Sequence, residues 1–135
     1  MGRVQLALNV KDLDEAIDFY TKLFATEPAK IRPGYANFAI ADPPLKLVLF
    51  EGSGEPGTLN HLGVEVDSTE DVAAASARVS GEGLPTTEEH GVCCHALQDK
   101  VWVSGPDTAW EIYTVLADAP VETASACDAA SGCCA

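Results

Sequence analysis

One stretch of this chain is written twice, 56 positions apart, and a chain that repeats itself in this way is expected to fold as two like pieces. Gln5, Leu6, Leu8, Asn9 and Val10 of the first copy fall on His61, Leu62, Val64, Glu65 and Val66 of the second. Alternation in the first copy predicts a strand with Val4, Leu6, Leu8 and Val10 on its core face and Gln5, Ala7 and Asn9 on the other. Asp12 stands three residues before Glu15, and Ser68 three before Asp71, each a cap-like pair that opens a helix. The first helix carries an apolar stripe of Leu13, Ala16, Ile17, Tyr20, Leu23 and Phe24. The second runs to about Ser80 and stops at Gly81 and Gly83, which suit a C-terminal cap. Extended segments follow each helix: 35–41 and 45–51, divided by the turn Asp42-Pro43-Pro44, then 86–89, 97–104 and 110–116. Each half reads β-α-β-β-β, so the expected class is α+β, two βαβββ modules whose sheets pack around a shared site.

The expected organisation is one domain over 1–118, with modules at approximately 1–55 and 56–118. From 119 to 135 the chain turns Ala- and Ser-rich without periodicity and is expected to be a flexible tail. With 135 residues, 47% of them hydrophobic, the chain can bury one real core. A net charge of −13, from eight Lys and Arg against 21 Asp and Glu, repels phosphate backbones and anionic membranes. The basic residues form no stripe, so neither nucleic acid nor a membrane surface is an expected partner. No apolar run approaches the ~20 residues of a membrane span, and the N-terminus lacks a signal-peptide pattern. A soluble, cytoplasmic protein is expected.

The five cysteines, at 93, 94, 127, 133 and 134, leave the first 92 residues without one, whereas a secreted disulfide framework would spread them. Clustered thiols in a reducing compartment point to metal, metalloid or redox chemistry. Cys93 and Cys94 are adjacent. Their α-carbons stand ~3.8 Å apart, short of the roughly 4.4–6.8 Å usual in a disulfide. Two free thiols can instead turn toward one soft, thiophilic centre. On spacing alone, two buried and inert cysteines are the better explanation of the pair, and the rest of the chain has to tip the balance. His90 and His95 flank it and are candidates to assist thiol deprotonation.

Gln5 and His61 hold equivalent positions on equivalent strands, and a pseudo-twofold between modules would turn both into one concavity. Glu111 alternates against Trp110 and Ile112 on the closing strand, where a buried carboxylate is costly unless paired or metal-bound. An amide oxygen, an imidazole and a carboxylate make a three-ligand set with open positions. Singly, each has a plainer reading: Gln5 a surface residue, His61 a hydrogen-bonded core histidine, Glu111 a solvated strand residue. Tyr35 and Trp102 read as core aromatics, Lys46 and Lys100 as solvated strand residues.

The stretches QLALNVKDLDEAIDFYTKLF, NHLGVEVDS and GPDTAWEIYTV resemble the vicinal-oxygen-chelate superfamily of glyoxalase I, fosfomycin- and bleomycin-resistance proteins and extradiol dioxygenases. The resemblance covers 3–117 and implies a cupped mixed sheet around a divalent metal, with its ligand positions falling on Gln5, His61 and Glu111. A narrower resemblance, in RPGYANFAIADPPLKLVLFE, the Cys93–Cys94 loop, QDKVWVSGP and the cysteine-ended tail, is to organoarsenical carbon–arsenic lyases and cadmium-inducible proteins. It implies an Fe(II)-dependent dioxygenase, with dioxygen as co-substrate, that releases arsenite from trivalent organoarsenicals such as methylarsenite or aromatic arsenicals. Cys93 and Cys94 would hold the arsenic, and the protein would act as a monomer or homodimer.

Two departures qualify the match. Glutamine replaces a histidine of the two-His-one-carboxylate oxygenases, which admits nickel, cobalt or zinc beside iron. A four-ligand glyoxalase site would draw a carboxylate from 46–51, which offers only Glu51 at its end, so three ligands are expected. Two other functions compete: cadmium or arsenite sequestration without turnover, favoured by Cys127, Cys133 and Cys134, and glyoxalase or antibiotic-resistance chemistry, which leaves Cys93 and Cys94 unemployed.

Overall fold

The computed structural model describes residues 2–93 and 95–118. The expected tail, with Cys127, Cys133 and Cys134, lies outside the described residues, as does Cys94. The chain divides into two compact units, Arg3–Leu62 and the part from Gly63 onward.

In the first unit, β1 (Arg3–Val10) leads into α1 (Leu13–Phe24), β2 (Lys30–Arg32), β3 (Tyr35–Ile40), β4 (Leu45–Glu51) and the start of β5 (Leu59–Glu65). Asp12 opens α1 as expected, its carboxylate accepting from the Glu15 N–H at 3.0 Å. The sheet order is β2-β3-β4-β1. β1 and β4 run parallel, which the intervening helix and hairpin make possible. Leu13, Ala36, Phe38, Ile40, Leu47 and Leu49 form the core, with Leu6, Leu8, Val10, Ala16, Ile17, Tyr20 and Phe24 packed against it. Full burial of each large side chain there stabilises by about 1.5–3 kcal/mol. Leu23 is 57% exposed and does not belong to the stripe. At 3.6 residues per turn it sits about 80° from the stripe's centre. β2 escapes a periodicity reading because three residues cannot show an alternation.

The face of β1 opposite the helix is not a solvent face. Gln5, Ala7 and Asn9 are 4%, 0% and 6% exposed, less than the Val4 and Leu6 that alternate with them. Sequence alternation sorts these residues correctly into two faces, but both faces are covered.

In the second unit, α2 (Thr69–Gly81) is followed by β6 (Thr86–Cys93), β7 (Ala96–Ser104) and β8 (Ala109–Asp118), an antiparallel run in the order β8-β7-β6. Ser68 Oγ accepts from the Asp71 N–H at 3.1 Å. Gly83 terminates the helix at φ +83°, a left-handed conformation that glycine adopts without strain. Its N–H bonds the Ser80 carbonyl. Val72 and Val79 of α2 and Val101 of β7 are buried. All three strands run longer than the alternation indicates, most of all β6, which reaches Cys93 rather than residue 89. With β5, the order in each half is β-α-β-β-β. No helix among the described residues is long and apolar enough to cross a membrane.

Candidate metal centre

Strand pleating puts Gln5 and Asn9 on one face of β1, and the parallel register places Lys46 beside Gln5, Val48 beside Ala7 and Phe50 beside Asn9. His61 comes up from β5 against this face. Its ring lies 6.2 Å from Phe50, which in turn packs edge-on to Tyr35 at 5.5 Å. Asn37 donates to the Tyr35 hydroxyl at 2.9 Å. The result is a buried, partly aromatic setting in which His61 Nε2 and Gln5 Nε2 meet at 3.3 Å, both side chains almost fully covered. The opposite ring nitrogen, Nδ1, meets Asn60 Oδ1 at 2.8 Å.

The Gln5–His61 spacing fits a shared cation. If the Gln5 amide turns so that its oxygen takes the place of Nε2, now 3.3 Å from His61 Nε2, two donors each about 2.1 Å from an ion subtend about 104° at it, between the octahedral and tetrahedral values. β4 adds no carboxylate to this face, because Lys46, Val48 and Phe50 occupy it. Glu51 is used elsewhere: its Oε2 accepts from the Leu13 N–H at 2.7 Å, satisfying an otherwise orphaned donor in the first turn of α1.

Glu111 belongs to the second unit, where it is 3% exposed and accepts from Lys100 Nζ at 2.7 Å. Trp102 stands opposite Glu111, and Lys100 opposite Tyr113, so all four side chains share one face of the β7–β8 ladder. The ammonium lies 5.4 Å and 5.8 Å from the Trp102 and Tyr113 ring centroids. Lys100 is therefore a buried partner of the candidate carboxylate and not a solvated strand residue. A Lys–Glu pair of this burial orients the carboxylate through a charge-assisted hydrogen bond. Its alternation with Gln98 and Trp102 is visible in the sequence; the register that brings it to Glu111 is not.

The structure thus brings Gln5 and His61 together and pairs Glu111 with Lys100. Among the described residues no three His, Cys, Asp or Glu side chains gather as ligands; the candidate set depends on an amide, Gln5. Cys93 ends β6 opposite Ala96. Its side chain and Cys94 fall outside what is described. Of the two flanking histidines, His90 lies on β6, two-thirds exposed, and pairs with Asp99 across the β6–β7 ladder. His95 is buried at φ +67° in the turn after Cys94. Asp99 accepts from Thr69 at 2.6 Å, and these hydrogen bonds, Thr69 first and His90 second, hold its carboxyl below the usual value of 3.8. Asn9 and Asn60, which the sequence reading did not single out, stand behind His61. The one hint in the sequence is position, Asn9 on the Gln5 face and Asn60 next to His61.

A family model described as the Glyoxalase/Bleomycin resistance protein/Dioxygenase superfamily matches residues 2–108. The chain is 66% identical over 120 residues to the cadmium-induced protein CadI of Mycobacterium tuberculosis, covering 87% of this chain and 79% of that one. It is 58% identical over 137 residues to a trivalent organoarsenical cleaving enzyme of Thermomonospora curvata, covering 99% and 89%. Among solved structures, the Mn(II)-bound glyoxalase of Novosphingobium aromaticivorans superposes with a TM-score of 0.60 at 20% identity, over 88% of this chain and 42% of that one. At that identity the likeness concerns the fold, and it agrees with the α+β, two-module class expected from the repeat.

Proposed function

The chain belongs to the glyoxalase, bleomycin resistance protein and dioxygenase superfamily, and from that premise we propose that it is an Fe(II)-dependent dioxygenase that cleaves the carbon–arsenic bond of trivalent organoarsenicals and releases arsenite. The supporting observation is the buried Gln5–His61 pair, an amide and an imidazole that meet at 3.3 Å, in a chain whose Thermomonospora relative is named for organoarsenical cleavage.

In this reading Gln5, His61 and Glu111 would hold one divalent metal. Iron(II), when bound, supplies the redox chemistry with dioxygen that rupture of a carbon–arsenic bond requires. His61 contributes Nε2. Gln5 would contribute its amide oxygen after a half-turn of the amide, since the nitrogen faces the ring. Lys100 fixes one oxygen of Glu111. Cys93 and Cys94 capture trivalent arsenic as thiolates, the metal-binding form of the side chain.

The test is direct. Iron-loaded protein incubated with methylarsenite in air releases inorganic arsenite, and the same mixture without oxygen does not. Absence of arsenite from protein carrying stoichiometric iron refutes the reading. The CadI likeness favours a second reading, thiol-based cadmium or arsenite sequestration. That function predicts cysteine-dependent cadmium binding with no arsenite released under any condition.

A further inference from the structure

A histidine can ligate only through a ring nitrogen that carries no proton, so something must decide which nitrogen that is. Behind His61 runs a line of hydrogen bonds whose direction can be worked out from its far end. The Glu55 carbonyl can only accept, so the Thr58 hydroxyl, 2.5 Å away, spends its single proton there. Thr58 Oγ1 must then accept from Asn9, which presents its Nδ2 at 3.0 Å. That leaves Asn9 Oδ1 to face Asn60, which must donate through Nδ2, at 2.9 Å. Asn60 therefore turns Oδ1 to the histidine, and His61 Nδ1, at 2.8 Å, must carry the proton. Nε2 is left as a lone pair, aimed at the Gln5 amide.

The line is built in. Asn9 is 6% exposed, and its backbone is clamped to the same loop by bonds from Asn9 N–H to the Thr58 carbonyl and from Gly57 N–H to the Asn9 carbonyl, each 2.9 Å. Gly54 closes over the Asn9 side chain: a Cβ there would come within 2.6 Å of Asn9 Nδ2. None of the three side chains that set the direction, Asn60, Asn9 and Thr58, is itself titratable.

We propose that Asn60, braced by Asn9 and Thr58, is a positioning residue that holds the His61 imidazole in its Nδ1–H form and thereby assigns Nε2 to the metal. The inference deepens the proposed function and rests on His61 being a ligand. It is tested on the full chain by nitrogen-15 NMR of the metal-free imidazole, and by titration with cobalt(II) followed by visible absorption. The wild type shows protonated Nδ1 and binds cobalt. Asn60→Leu loses the single tautomer and weakens cobalt binding by roughly 10–100-fold, the usual effect of losing such a partner. Asn60→Asp, which still accepts from Nδ1–H although it gives up the donation to Asn9 Oδ1, restores the single tautomer. Thr58→Val alters only an exposed position and shifts both readouts in the direction of Asn60→Leu but less far, so the proposal stays open to refutation even where Asn60→Leu fails to fold. A wild-type spectrum with the proton on Nε2, or unchanged tautomer and cobalt affinity in either Thr58→Val or a folded Asn60→Leu, overturns the relay. A flat cobalt titration of wild type whose spectrum shows Nδ1–H overturns the metal reading instead.

Discussion

Replacing Lys100 by methionine removes the ammonium from Glu111 while keeping most of the apolar stem, so the loss is chiefly electrostatic. Both partners are only 3% exposed, and the nitrogen and oxygen are 2.7 Å apart. Taking one partner from a pair this deeply buried costs about 3–5 kcal/mol, because the remaining charge loses its counterion without regaining water. The ammonium also gives up its position near Trp102 and Tyr113, each such contact contributing about 0.5–2 kcal/mol. For a domain of this size, roughly 3–5 °C of melting temperature accompanies each kcal/mol, so metal-free Lys100→Met is expected to melt about 10–20 °C below wild type. Urea unfolding of wild type, Lys100→Met, Glu111→Leu and the double variant closes a double-mutant cycle. The double variant should be more stable than Lys100→Met alone, since it leaves no buried charge. Cobalt(II) should recover part of the Lys100→Met loss by giving Glu111 a new counterion. A loss below about 1 kcal/mol in Lys100→Met, the size of an exposed pair, refutes the reasoning from burial.

Three further outcomes are expected. Glu51→Ala should lower stability by about 0.5–2 kcal/mol through loss of the Leu13 N–H acceptor, with cobalt affinity unaltered; a weakened titration would return Glu51 to the ligand set. The double variant Cys93→Ser, Cys94→Ser should keep metal binding and lose arsenite release, whereas full retention of a glyoxalase-type activity would favour that chemistry instead. Asp99 has a folded-state value below 3.8, so its contribution to stability is complete above the unfolded value and disappears as pH falls through the lowered one. Thr69→Val, by deleting the largest cause, should raise the Asp99 titration seen in carboxyl NMR toward 3.8 and flatten acid unfolding in that window; an unmoved titration contradicts the hydrogen-bond origin of the shift.

Much of this protein is local, and local features are legible in a sequence. The strand period that sorts Gln5 and Asn9 from Leu6 and Leu8, the caps at Asp12 and Ser68, and the glycine that stops α2 each depend on residues within a few positions of one another. The repeat extends this reading further, because equivalence of Gln5 and His61 is written in the register of two copies, and the two side chains do meet. What alternation cannot say is which strands become neighbours and whether the second face of a sheet is covered. That is why Lys100 reads as solvated until the β7–β8 register sets it against Glu111. It is also why Asn9 reads as a bystander until the return of the chain at Thr58 and Asn60, 49 and 51 positions later, makes it the middle of a hydrogen-bonded line. Periodicity assigns residues to faces; only packing decides how deeply each face is buried, and with it which polar groups must find one another.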